Sequence, residues 1–104
     1  MEINITVQVL KKGLQENKYE LIDVRETSEV NICAINKSIH IPMNTIPESI
    51  SKLSHDKVYA VICHSGIRSL NVTNYLKDRG FNVYNVDGGI DEWARSIDRN
   101  MKRY

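Results

Sequence analysis

The residues of this chain best able to do chemistry stand together in one stretch, Cys63-His64-Ser65-Gly66-Ile67-Arg68-Ser69. A cysteine is a nucleophile when it is a thiolate, so what matters is what surrounds the sulfur. The apolar run Val58 to Ile62 stops at Cys63 and a helical pattern begins near Ile67, which leaves His64, Ser65 and Gly66 as a tight turn. The first turn of a helix carries backbone N–H groups without intrahelical partners at the positive end of its dipole. Anions are welcome there, and a cysteine so placed should be acidified below its free pKa of roughly 8.5. Gly66 lets the backbone take a positive φ and come close to a bound group. Arg68 opposes the dipole, at a cost of roughly a few tenths of a kcal/mol upward. Its guanidinium would offset that by pairing with an anionic ligand held over the loop.

Each residue also has an ordinary reading. A lone cysteine after an apolar strand is most often an inert core thiol. An arginine early in a helix more often makes a surface contact. His64 reads first as an exposed loop residue that tunes local charge, and only second as a proton donor. Taken one at a time, the ordinary readings prevail; taken together, between a strand and a helix, the two readings stand level.

The elements that must position this loop alternate along the chain. Apolar residues at Val7, Leu10 and Leu14 have helical spacing, with Thr6 as N-cap and Asn17 as the end. Tyr19 to Val24 reads as a short strand, Thr27 or Ser28 as the cap of a brief helix through Ile32, and Ser38 to Ile41 as a strand stopped by Pro42. Pro47 lies in the first turn of a helix from Thr45 to Leu53. Val58–Ile62 is the clearest strand; Ile67 to Arg79 is a helix closed by Gly80; Phe81 to Val86 is a strand and Gly89 to Asp98 a last helix. This alternation predicts an α/β domain with a mostly parallel sheet and helices on both faces. Such sheets bind ligands beyond the carboxyl ends of their strands, so Asp23-Val24-Arg25, Pro42-Met43, Cys63-His64 and Asp87-Gly88-Gly89 should converge.

The bulk numbers limit the partners. A chain of 104 residues suits one domain, expected over 1–104, and 41% hydrophobic residues suffice for a core. Fourteen basic side chains nearly balance thirteen acidic ones, for a net charge of +1, which argues against nucleic-acid or membrane-surface binding driven by charge. The most basic stretch, Arg99 to Tyr104, is expected to be a solvated tail. Met1-Glu2-Ile3-Asn4 lacks the basic start and long apolar run of a signal peptide, and no apolar run reaches membrane-spanning length. Two cysteines without a C-x-x-C pair fit a reducing cytosol better than a disulfide framework.

Three motifs together resemble the rhodanese (thiosulfate:cyanide sulfurtransferase) family. The Cys63–Ser69 loop is similar to its C-x-x-G-x-R-S loop, Leu21-Ile22-Asp23-Val24-Arg25 with Glu29 to its L-I-D-V-R-x-x-x-E stretch, and Asp87-Gly88-Gly89-Ile90 with Trp93 to its G-G-x-x-x-W signature. They cover about residues 5 to 95. The resemblance implies a three-layer α/β/α domain around a central sheet of about five strands, with no metal and no organic cofactor. It also implies a persulfide cycle, in which the Cys63 thiolate takes the outer sulfur of a small anionic donor such as thiosulfate. A cyanide or thiol acceptor, or a protein, then removes that sulfur. Covalent catalysis would split the transfer in two, with the loop N–H groups of His64, Ser65, Gly66, Ile67 and Ser69 cradling the outer sulfur. Arg68 would hold the anionic end of the donor. Asp23 would brace the loop, Arg25 would pair with Glu29, Gly88 and Gly89 would turn the chain into the last helix, and Trp93 would pack in the core.

The chain departs from the family where Cys33-Ala34-Ile35-Asn36-Lys37-Ser38 stands in place of G-H-I-P-G-A, so that turn must be made differently. Cys33 is expected to fill a small buried gap; the sharper alternative is a thiol that reaches Cys63 and resolves its oxidised form. Among rival functions, a phosphatase or arsenate reductase wraps its oxyanion in a C-x5-R loop. Only four residues separate Cys63 from Arg68 here, a ring suited to sulfur and tight for phosphate. A persulfide carrier or regulatory binding module acting with a protein partner is the other alternative.

Overall fold

The computed structural model describes residues 3–104. Met1 and Glu2, the first residues of the expected domain and of the stretch read against a signal peptide, lie outside them. Five strands, β1 (Asn4–Ile5), β2 (Glu20–Asp23), β3 (Ile39–His40), β4 (Val58–Ile62) and β5 (Asn82–Val86), form one sheet in the order β1-β5-β4-β2-β3. Every pairing is parallel, so the expected mostly parallel sheet is wholly parallel. The helices are α1 (Val7–Gln15), α2 (Thr27–Val30), α3 (Ile46–Ser49), α4 (Ile67–Asp78) and α5 (Gly89–Ser96).

The sheet separates two cores, and strand alternation sorts residues between them. Leu21, Ala60, Ile62 and Val86 pack with Val7 and Leu10 of α1 and Ile90 and Trp93 of α5. Ile22, Tyr59, Val61 and Val83 pack with Ile46 of α3 and Val72 and Leu76 of α4. Cys63 continues the second series, one step past the end of β4. Leu10, Ile22, Ile62 and Leu76 are fully buried, each contributing about 2–3 kcal/mol of transfer free energy. This is the α/β/α layering expected from the sequence, with Trp93 in the core. Among the described residues no helix is long and apolar enough to cross a membrane.

Local chemistry sets the boundaries. The Thr6 hydroxyl accepts from the N–H of Val9 at 3.1 Å, capping α1 as expected. Asn17, with φ of 56°, takes the left-handed conformation that ends it. The expected cap of α2 at Thr27 or Ser28 is instead Glu26, which shares a capping box with Glu29. The helix read over Thr45–Leu53 is broken: 3-10 turns at Met43–Thr45 and Ile50–Lys52 flank the single α-turn of α3. Lys37 makes the turn before β3 at φ of 68°, without a glycine. β1 was not expected; it is two residues long, at the sheet edge, set by pairing Asn4 with Asn85 and Ile5 with Val86.

Candidate active site

The four strand ends do converge. The Val24 N–H donates to Ile62 O at 3.0 Å and the Met43 N–H to Val24 O at 3.0 Å. From below the Cys63 loop, the N-terminus of α5 grips it: Ile90 N–H donates to Cys63 O at 2.8 Å and Asp91 N–H to His64 O at 3.1 Å. A peptide unit is planar and trans, so its N–H points away from its C=O. Tying down those two carbonyls therefore turns the N–H groups of His64 and Ser65 to the opposite side. Gly89 permits this grip; its φ is 62°, and a Cβ there would meet the Cys63 carbonyl oxygen at 2.6 Å and the His64 carbonyl oxygen closer still.

Gly66, at φ of 107°, turns the chain into α4. Its N–H donates to the Cys63 sulfur at 3.1 Å, and the Ser69 N–H does so at 3.3 Å. The Ser69 hydroxyl lies 3.2 Å from the same sulfur and 2.6 Å from Asn85 Oδ1. Cys63 is 1% exposed. Burial pushes the thiol up, yet its pKa lies below the ordinary cysteine value because the Ser69 hydroxyl and the N–H groups of Ser69, Gly66 and Ser65 outweigh burial. The largest favourable influences on this sulfur are thus hydrogen bonds of the loop. Ile67 is 72% exposed, at the start of α4, and Ser65 is exposed beside it.

The charged residues are paired differently from the sequence reading. Arg25 does not pair with the Glu29 carboxylate. Its guanidinium and backbone N–H embrace Asp23, with Nη2 to Oδ2 at 2.8 Å and both side chains out of water. Asp23 therefore braces Arg25, while its backbone pairs with Ile62 at the end of β4. Arg25 also donates to Cys33 O at 2.7 Å and Glu29 O at 3.3 Å. The Glu29 carboxylate receives Arg68 on both oxygens, at 2.7 and 2.9 Å. That pairing, against partial burial and with help from the Glu26 N–H and Tyr104, holds the Glu29 carboxyl at about 2. The local i,i+4 relation of Arg25 and Glu29 lost to a tertiary pairing.

Tyr104 is the functional neighbour that sequence reasoning missed. Its hydroxyl accepts from Arg25 at 2.9 Å and donates to Glu29 at 2.9 Å, and its ring meets His64 edge-on at 4.2 Å between centroids. Burial first, and the Glu29 carboxylate next, push its phenol up to about 12 against the pull of Arg25. Arg103 pairs with Asp91 at 3.0 Å. The expected solvated tail is therefore folded back over α5 and α2, and nothing in a basic hexapeptide signals it. His64 is half-buried by that contact, less open than expected. Asn85, 2% exposed, was missed too. It did leave a signal, a polar residue on the Val83 face of β5, where the alternation calls for an apolar one.

Cys33 and Cys63 are both free thiols. Cys33 is half-buried against the α1/α5 core with its sulfur 3.9 Å from Arg25 Nη1, whereas Cys63 belongs to the α3/α4 core. Cys33 is thus less buried than the gap-filling reading expected.

Residues 6–96 match the model of the rhodanese-like domain. The chain is 44% identical over 95 residues to YtwF of Bacillus subtilis, provisionally named a sulfurtransferase, covering 89% of this chain and 92% of that protein. It is 35% identical over 83 residues to the thiosulfate sulfurtransferase GlpE of Pseudomonas savastanoi pv. phaseolicola, covering 79% and 78% of the two. Its backbone is similar to the crystal structure of a rhodanese-like domain protein from Staphylococcus aureus, with TM-score 0.85, 32% identity and coverage of 100% and 99%.

Proposed function

The chain belongs to the rhodanese-like domain family, and from that premise we propose that it is a sulfurtransferase working through a persulfide on Cys63. The observation that carries this is the sulfur itself, a buried cysteine accepting N–H donors from Gly66 and Ser69 and acidified by the Ser69 hydroxyl together with these N–H groups. The Cys63 thiolate attacks the sulfane sulfur of thiosulfate. A new S–S bond forms, the old one breaks, and sulfite leaves with the bonding electron pair. The product, Cys63–S–S⁻, carries its charge on the outer sulfur, where the N–H groups turned inward by α5 offer preorganised stabilisation. Cyanide or a thiolate then attacks that outer sulfur, the Cys63 sulfur leaves with the electrons, and the loop thiolate returns. The chemistry uses no metal or cofactor and needs a reduced thiol, which suits the cytosol. A loop with four residues between Cys63 and Arg68 is too small a ring for phosphate, so aryl phosphates should not be turned over.

One observation favours a second reading. Arg68, the side chain that would hold a free anionic donor, already spends two donors on Glu29. A persulfide carrier loaded by a protein donor and unloaded by a protein or small-thiol acceptor would need no such clamp. Intact-mass analysis after incubation with thiosulfate tests the shared chemistry: one added sulfur, removed by cyanide and absent in Cys63→Ser, is expected. No adduct with any sulfur donor would defeat it. The clamp role is tested by Arg68→Ala; an unchanged KM for thiosulfate removes it and leaves the carrier reading.

A further inference from the structure

Behind the Cys63 loop lies a buried relay that the persulfide cycle does not use. The Ser69 hydroxyl has one proton and two acceptors within reach, the Cys63 sulfur at 3.2 Å and Asn85 Oδ1 at 2.6 Å. The Asn85 amide is held against rotation. Its Nδ2 donates to Asn4 Oδ1 at 2.9 Å and to the Gly66 carbonyl oxygen at 3.3 Å. A backbone carbonyl only accepts, so the nitrogen is fixed on that side and the oxygen on the side of Ser69.

With Cys63 as a thiol, the relay is satisfied in one direction: S–H donates to Ser69 Oγ, and Ser69 O–H donates to Asn85 Oδ1. When the S–H proton leaves to solvent, the hydroxyl has two incompatible tasks. Turning to the thiolate leaves a buried carbonyl oxygen unmet, and staying on Asn85 leaves the sulfur with backbone donors alone. We infer that Asn85 is a positioning residue that competes with Cys63 for the Ser69 hydroxyl proton and so moderates how readily the loop sulfur gives up its own. The Ser69 hydroxyl and the backbone N–H groups make the sulfur acidic; Asn85 limits how far the hydroxyl contributes. Around the loop stand Arg68 of α4 with Glu29 of α2, His64 with Asp91 of α5, the Asp23–Arg25 pair at the end of β2, Tyr104 against His64, and exposed Asp87 after β5. α3 contributes apolar Ile46. All of these are left unchanged by the variants that test the relay.

The use of this acidity in catalysis rests on the persulfide reading, but the acidity is measured without any sulfur donor. The experiment is the pH dependence of iodoacetamide alkylation of the full chain, scored on the Cys63 peptide by mass spectrometry so that Cys33 does not contribute. Asn85→Val should lower the pH midpoint by about one unit, the change expected when one buried hydrogen bond is handed to the thiolate. Ser69→Ala should raise it. In the Ser69→Ala background, Asn85→Val should produce no further shift, because the contested proton is gone. Asn4 is exposed at the sheet edge, so Asn4→Ala serves if Asn85→Val does not fold. By loosening the amide it should shift the midpoint in the same direction and by less. An unchanged or raised midpoint in the folded variant, or a shift of equal size that persists with Ser69→Ala, overturns the inference. A downward shift in a protein that takes no sulfur from any donor would defeat the proposed function and leave the relay standing.

Discussion

Glu29 on α2 takes both terminal nitrogens of Arg68 on α4, at 2.7 and 2.9 Å, across 39 positions of sequence. The arginine that opposes its own helix dipole is thus balanced by a carboxylate from another element. The pair also anchors the first turn of α4, the turn that supplies the Ser69 donors to the Cys63 sulfur.

The pair should make stability depend on pH in a defined window. The Glu29 carboxyl falls from an ordinary 4.5 to about 2 in the folded chain. A depressed carboxyl stabilises the fold above its unfolded pKa and loses that contribution as pH falls through the folded one. The wild-type chain should therefore exceed Glu29→Gln in urea midpoint at neutral pH. The gap should narrow below about pH 4.5 and close near pH 2. A gap that stays constant over that range would rule the pair out as its source.

Arg25 should not tolerate lysine. Its planar fork meets Asp23, two backbone carbonyls and the Tyr104 hydroxyl at once, and an ammonium has neither the reach nor the geometry to do so. Arg25→Lys keeps the charge but leaves buried acceptors unmet, at a cost of about 2–4 kcal/mol. Denaturant unfolding measures this, and a loss below half a kcal/mol, within the range of ordinary surface substitutions, would contradict it.

Gly89→Ala should damage fold and site together. It combines a left-handed backbone with a collision against the Cys63 and His64 carbonyls, for a loss of about 2–4 kcal/mol. The displaced loop should also slow Cys63 alkylation at neutral pH. Lost stability with an unchanged alkylation rate would show that α5 does not orient the loop.

Lys37→Gly should do the reverse. Lys37 is held at φ of 68°, where a side chain is strained and glycine is not. Relief of that strain less the extra freedom of the unfolded glycine leaves a gain of about 0.5–1 kcal/mol. Thermal unfolding reads it, and a lower melting temperature would refute it.

Much of this arrangement is visible in the sequence because it is local. The uninterrupted run Val58–Ile62 ends at Cys63 and gives way to helical spacing, so strand, loop and helix could all be placed, and Thr6 could be identified as a cap. What the sequence conceals depends on long-range geometry. Glu29 has two arginine candidates, and proximity in sequence favours the wrong one. β1 is too short to carry a pattern and exists only because β5 offers it an edge. Tyr104 finds a slot made by α2 and the His64 loop, which no feature of the tail announces. Asn85 lies between these cases, visible as an oddity in its strand but interpretable only with Ser69 in view.

The uniform direction of the strands has one more consequence. From Lys57, just before β4, to Cys63, just after it, the chain spans about 20 Å. The end away from the sulfur presents Lys18, Lys37 and Lys57 around a shallow cleft. A dye, a surface linker or a fused carrier attached there would hang the molecule by its base. The Cys63 loop would then face outward, toward whatever delivers or collects its cargo.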